Sequence, residues 1–154
     1  MKIRFCTLVL LSLSLLACGN PDGSTPGMTL TGEVVTDFPP DWSFTQKIPE
    51  IALEVETPYL FHHSVTIWCV SVDGKLYVAA LDPESKQWPG WARRNPAVRL
   101  LIEGRIYPAT LEFLDDPTQT VPVAAAYAKK YHRTLPEPGG EAPKIWYWRV
   151  LPRS

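Results

Sequence analysis

The feature that most narrows the fold is the dipeptide Asp73-Gly74, set between two strand-like runs, Val65 to Val72 and Lys75 to Leu81. A two-residue turn joins antiparallel strands when both residues accept positive φ, and Asp-Gly does so at little steric cost. The chain here reads as an antiparallel hairpin. A second strand pair follows: Val98 to Ile102, a turn around Glu103-Gly104-Arg105, and Ile106 to Leu114. Pro108 has no N–H to give to a ladder, so its strand is expected to meet an edge or a bulge there.

The flanking segments extend this pattern. Met28 to Val35 reads as a first strand, and Trp42 to Phe44 and Ile51 to Val55 as short strands separated by Pro49. Apolar and acidic residues alternate in Leu53-Glu54-Val55-Glu56, which suggests one wet face. Asp115-Asp116 reads as the acidic start of a helix rather than a catalytic pair. That helix runs from Pro117 to about Arg133, with Val123, Tyr127 and Tyr131 on one stripe. Lys129, Lys130 and Arg133 suit its C-terminal end, where the helix dipole favours cations. Pro136 to Pro143 is an irregular loop. Ile145 to Leu151 is a last strand, with Trp146 and Trp148 on one face and Tyr147 on the other. A mostly antiparallel sheet with one late helix is expected to close into a small barrel.

The N-terminus is of a different kind. Lys2 and Arg4 precede an apolar run from Phe5 to Leu16, too short to span a ~30 Å hydrocarbon core. A positive start and a short apolar region are those of a signal peptide. The run ends in Leu15-Leu16-Ala17-Cys18, which resembles the lipobox of bacterial lipoproteins. The resemblance implies diacylglycerol on the Cys18 thiol and cleavage just before it. Gly19 to Gly27 is polar and turn-rich, and reads as a flexible tether. The expected organisation is a signal peptide over 1–17, a lipidated cysteine and tether over 18–27, and a single domain over 28–154. The resemblance places the protein in the bacterial envelope, facing the periplasm. Gly19 stands where an aspartate would favour the inner membrane, which points to the outer one.

Charge excludes one class of function. Without Lys2 and Arg4, 13 of the 15 basic residues remain against 16 acidic ones, a net of −3. A nucleic-acid binder would show a basic face. With Cys6 removed and Cys18 lipidated, Cys69 is the remaining thiol, and its apolar surroundings read as packing. His62 and His63 are adjacent, so on a strand they point to opposite faces and cannot easily share a metal ion. His132 lies far along the chain, so no metal site is expected.

Three segments carry a family resemblance. They are Thr66 to Val78, Trp88-Pro89-Gly90-Trp91-Ala92-Arg93-Arg94-Asn95-Pro96 running into Ala97 to Leu100, and Gly104 to Ala109. Together they resemble the split β-barrel flavoproteins of the pyridoxamine-phosphate-oxidase-like superfamily, especially the deazaflavin-dependent nitroreductases. The resemblance implies a split, FMN-binding-like β-barrel that works as a homodimer. It implies FMN or a deazaflavin, its phosphate held by Ser64, Thr66, Lys86, Arg93 and Arg94, with Trp88 and Trp91 flanking the ring. A phosphate needs such cations and hydroxyl donors. The nitroreductases also carry a Gly-Arg-x-Ser-Gly-type loop. Here that segment is Tyr59-Leu60-Phe61-His62-His63-Ser64, without glycine or arginine.

Two functions follow. One is a lipid-anchored reductase that binds a flavin-like or other aromatic small molecule. No catalytic side chain is assigned, because a flavin carries such chemistry itself. The other is an envelope binding or structural module that keeps the barrel without the cofactor. Its expected sign is a groove filled by Trp88, Trp91 or Tyr107, against an open cationic groove at Arg93 and Arg94 for the first.

Overall fold

A computed structural model describes Gly27, residues 29–133 and residues 143–153. Cys18, the signal segment and most of the tether lie outside the described residues. The strands are β1 (Glu33–Val34), β2 (Ile51–Glu56), β3 (His62–Ile67), β4 (Cys69–Val72), β5 (Lys75–Leu81), β6 (Ala97–Ile102), β7 (Arg105–Leu114) and β8 (Ile145–Pro152). The helices are α1 (Trp88–Arg94) and α2 (Pro117–Lys130). The sheet order is β3-β2-β6-β7-β8-β5-β4, with β1 parallel to β7 outside this path. The two strands at the ends of that order, β3 and β4, are consecutive in the chain and separated only by Trp68. The sheet therefore has to curl until its ends meet. The fold is the expected mostly antiparallel split barrel with a late helix, and α1 is a second, short one.

The Asp73-Gly74 turn forms as read, with φ of 50° and 72°, and joins β4 to β5. The run Val65 to Val72 is not one strand. It breaks at Trp68, because β3 pairs with β2 while β4 pairs with β5 on the other side of the barrel. Pro108 sits in β7 between Ile106, the last partner of β1, and Ala109, the first partner of β8. It is paired across to Arg99 of β6 alone. Trp42 to Phe44 is not extended. Trp42 is buried in the core, and Ser43–Lys47 form a 3-10 turn closed by the Thr45 hydroxyl on the Trp42 carbonyl at 2.7 Å.

The barrel interior holds Leu53, Val55, Leu76, Val78, Val98, Leu100, Ile102 and Trp148. Trp146 packs against this core and Tyr147 faces the other way, as the alternation requires. Two coverings close the outer faces. Helix α2 lies over Val70, Leu114 and Tyr147, using Val123, Tyr127 and Tyr131. The opposite outer face is crossed by Gly27 and residues 29–35. There the expected strand Met28 to Val35 shrinks to Glu33–Val34, because the segment runs across the sheet as a belt rather than along one strand. It starts at Gly27, whose N–H donates to Ser64 O of β3 at 2.7 Å, and ends at Val35, whose N–H donates to Ile106 O of β7 at 2.8 Å.

Leu30 fills the middle of the belt against Ala52, Leu101 and Ile106. Burying such a side chain contributes about 1.5–3 kcal/mol. Its backbone is clamped on both sides. The Leu30 N–H donates to Glu54 Oε2, and Arg99 Nη2 donates to the Leu30 carbonyl at 3.3 Å. Arg99 Nη1 bonds Glu54 Oε1 at 2.9 Å, and His62 Nδ1 lies 3.1 Å from the same oxygen. The expected wet face of β2 is thus a covered one, with Glu54 1% exposed. A buried carboxylate persists where it is paired and hydrogen-bonded.

Candidate functional site

The residues that the resemblance marked for a flavin are divided between the two faces of β3. Ser64 is paired across to Glu54 and Thr66 to Ala52, so both point to the outer, belted face. Ser64 is buried there, beside the strand that carries the Glu54 carboxylate, while Thr66 is exposed. His63 points the other way and meets Trp91 edge to face at 5.6 Å. His62 and His63 do lie on opposite faces, as adjacent strand residues must.

Helix α1 sits on that second side. Pro89 in its first turn suits a helix start, where a missing N–H costs nothing. Trp88 is 5% exposed and packs on Trp148 at 5.3 Å. Trp91 lies half-buried against the same core. The Arg93 guanidinium is held over two rings, 4.5 Å from Phe113 and 4.8 Å from Trp146. Arg94 is exposed. Lys86 precedes the helix and donates to the Leu81 carbonyl.

A phosphate dianion needs several donors aimed at one point. Within one chain, Ser64 and Thr66 do not meet Lys86, Arg93 and Arg94. Trp88 has no open face to offer a ring, and Arg93 is engaged by aromatics. Tyr107 is also in the core, edge to face with Trp42 at 5.2 Å. The residues as placed do not form a flavin-phosphate cradle in the single chain.

A shallow groove of about 220 Å³ lies elsewhere, between the Phe38–Trp42 segment and the strands β5 and β8. Phe38, Trp42, Lys75, Arg149 and Leu151 are among its lining residues, and it includes none of the expected site residues. Small-molecule sites usually run from about 300 Å³ upward.

A second concentration of polar chemistry stitches the break at Trp68. Trp68 stacks on Tyr131 at 4.2 Å, and the Arg133 guanidinium lies 5.1 Å over the Trp68 ring. The Tyr131 hydroxyl accepts from Cys69 N–H at 3.0 Å and faces the Pro49 carbonyl at 2.8 Å. The Tyr127 hydroxyl reaches the Trp68 carbonyl at 3.0 Å, and Lys130 Nζ donates to the Thr45 and Cys69 carbonyls at 2.9 and 2.7 Å. These bonds satisfy backbone groups that the break takes out of the ladder. Burial pushes the Cys69 thiol up and the Lys130 ammonium down, with each partly opposing the other's shift. A thiol with raised pKa is a poor nucleophile, so Cys69 is packing, as expected. Among the described residues no three of His, Cys, Asp and Glu gather as metal ligands. No helix among them is long and apolar enough to cross a membrane.

Residues 47–141 match the model of the family described as an uncharacterized protein conserved in bacteria, DUF2255. The chain belongs to the DUF2255 family. The matched span runs from the approach to β2 through α2, so it takes in the residues expected for a flavin and leaves out Cys18, the belt and β8. A search of curated proteins gave no match for this DUF2255 chain.

Solved structures share its fold. A conserved hypothetical protein from Mycobacterium tuberculosis superposes with a TM-score of 0.59 at 17% identity, covering 72% of this chain and 77% of that one. A protein from Listeria innocua named for pyridoxamine 5'-phosphate oxidase gives 0.54 at 15% identity, covering 71% and 87%. An F420 reductase gives 0.53 at 18% identity, covering 76% and 97%. At these identities the likeness concerns the fold, and it agrees with the split barrel read from the sequence.

Sequence reasoning missed Glu54 and Arg99. Leu53-Glu54-Val55-Glu56 has the alternation of a half-wet strand, and nothing local marks a covering segment more than twenty residues away. The one available signal was Arg99 on a neighbouring strand, which register alone brings opposite Glu54.

Proposed function

We propose that this DUF2255 protein is a lipid-anchored lipoprotein of the bacterial envelope. Its split barrel acts as a binding or structural module rather than as a flavin enzyme. A signal peptide occupies 1–17, Cys18 carries the lipid, 18–27 is the tether, and 28–154 is one domain facing the periplasm, with the outer membrane favoured. The observation that carries the non-catalytic reading is the use made of the expected flavin residues. Trp88 and Tyr107 fill the core, Arg93 lies over Phe113 and Trp146, and Ser64 is buried under the belt. Intact-mass measurement of the chain purified from membranes tests the anchor. A mature protein starting at Cys18 with diacylglycerol attached supports it, and an unmodified thiol at that position refutes it.

A second reading is a flavin- or deazaflavin-dependent reductase assembled as a homodimer. It is favoured by the fold shared with an F420 reductase along nearly all of that chain, and by Thr66 and Arg94, which are exposed and free to meet a second copy's groups. It requires a dimer in light scattering and saturable binding of FMN. A monomer that leaves tryptophan fluorescence unchanged during the titration rules it out.

A further inference from the structure

We propose that the tip of the β2–β3 hairpin, Tyr59-Leu60-Phe61, docks into the headgroup region of the bilayer that holds the lipid on Cys18, so that the barrel touches the membrane at two points. The inference rests on the anchored reading above.

The three side chains are 75%, 80% and 75% exposed. Single exposed apolar residues are ordinary, but three large ones in a row on a soluble surface mark a contact site. The tip is held in shape. Thr57 N–H donates to the Phe61 carbonyl at 2.9 Å, Leu60 N–H to the Thr57 carbonyl at 3.1 Å, and Tyr59 N–H to the Thr57 hydroxyl at 3.3 Å. Leu60 sits at φ 63°, a left-handed conformation uncommon for such a residue. The turn thus displays its side chains outward at some local cost.

Position selects the bilayer as occupant. The belt begins on β3, where Gly27 N–H meets the Ser64 carbonyl at 2.7 Å. Ser64 is three residues from Phe61, about 10 Å along the strand. Cys18 precedes Gly27 by nine residues, a reach of at most about 30 Å. Tether and tip therefore leave the domain near the same end of β3. The chemistry agrees, since Tyr is enriched at the membrane interface and Phe and Leu form the buried apolar face of interfacial segments. No residue from Thr57 to Phe61 is charged. A lipid anchor and a second contact together hold a domain in one orientation, which a flexible tether alone does not.

The test uses the full chain, purified from bacterial membranes and placed in vesicles of phosphatidylethanolamine and phosphatidylglycerol. Leu60→Cys, and separately Val121→Cys on the exposed side of α2, are labelled with an environment-sensitive fluorophore. Cys69 is buried and stays unlabelled. Brominated acyl chains should quench the label at position 60 severalfold more than at position 121. Equal quenching, or none at position 60, overturns the proposal. The intact mass of the same samples separates the two claims. Lipid present without quenching at position 60 removes the tip contact and keeps the anchor. Without lipid, Cys18 takes the label in both variants, so only quenching that stays higher for Leu60→Cys than for Val121→Cys keeps a tip contact, and the two-point claim falls with the anchor. Label–label contact at position 60 that replaces quenching assigns the tip to a second copy, which also overturns it.

Discussion

Truncating Glu54 to alanine would leave Arg99 Nη1 and the Leu30 N–H without their acceptor beneath the belt. Breaking one side of such a buried pair costs about 3 kcal/mol, and denaturant unfolding should show it as a lower midpoint with little change in slope. Glu54→Gln keeps the size and one acceptor, so it should fall between the two. Gly32 gives an independent handle on the same segment. A Cβ there would come within 2.7 Å of the Gly104 carbonyl, which is backbone and cannot yield cheaply. Gly32→Ala should lift the belt and expose the region around Leu30 to limited proteolysis, and unchanged cleavage would argue that the belt is not held as described. The sequence announced neither residue's role. Glu54 obeys the local alternation of a wet strand, and its burial depends on a segment that packs from a distance.

The break between β3 and β4 belongs to the next scale. Val65 to Val72 looks continuous because every residue in it tolerates extended backbone. What divides it is pairing, since β2 and β5 stand on opposite sides of the barrel and cannot share a straight strand. Helix α2 was readable from its stripe and from Asp116, whose carboxylate caps Thr118 N–H at 2.8 Å. The stripe did not reveal that the phenol ends of Tyr127 and Tyr131 bond the backbone at the break. Tyr131→Phe removes the acceptor of the Cys69 N–H and should destabilise by about 1–2 kcal/mol. Hydrogen exchange of the Cys69 amide should rise more than that of the neighbouring strands, and equal protection would remove the stitching role. The Asp116 carboxyl is held below its ordinary value by the Thr118 side-chain and backbone bonds. Its contribution is present above the unfolded pKa and is lost as pH falls through the folded one, so Asp116→Asn should flatten the acid side of the stability profile.

The whole molecule should respond to alkali in the opposite sense. Burial raises the Cys69 thiol above its ordinary 9.0 and Tyr77, Tyr127, Tyr131 and Tyr147 above their ordinary 10.0. A raised pKa means that the folded state holds the proton more tightly. That stability is complete below the unfolded values and is lost as pH rises through the folded ones; the lowered Lys130 opposes it with one group. Thermal melts should therefore fall from about pH 9 upward, and Tyr127→Phe with Tyr131→Phe should flatten the fall. The barrel itself was readable because two turns, an alternating last strand and one late helix agree on it. The flavin site was not, because residue types and order do not say which face of β3 a side chain joins, or whether a tryptophan near a turn lines a groove or fills the core. The most direct measurement is therefore a titration of the purified protein with FMN, followed by tryptophan fluorescence and by the visible spectrum. The placement of Trp88, Arg93 and Ser64 predicts a colourless protein whose fluorescence shows no saturable quenching, and a yellow protein or saturation at one FMN per chain would contradict it.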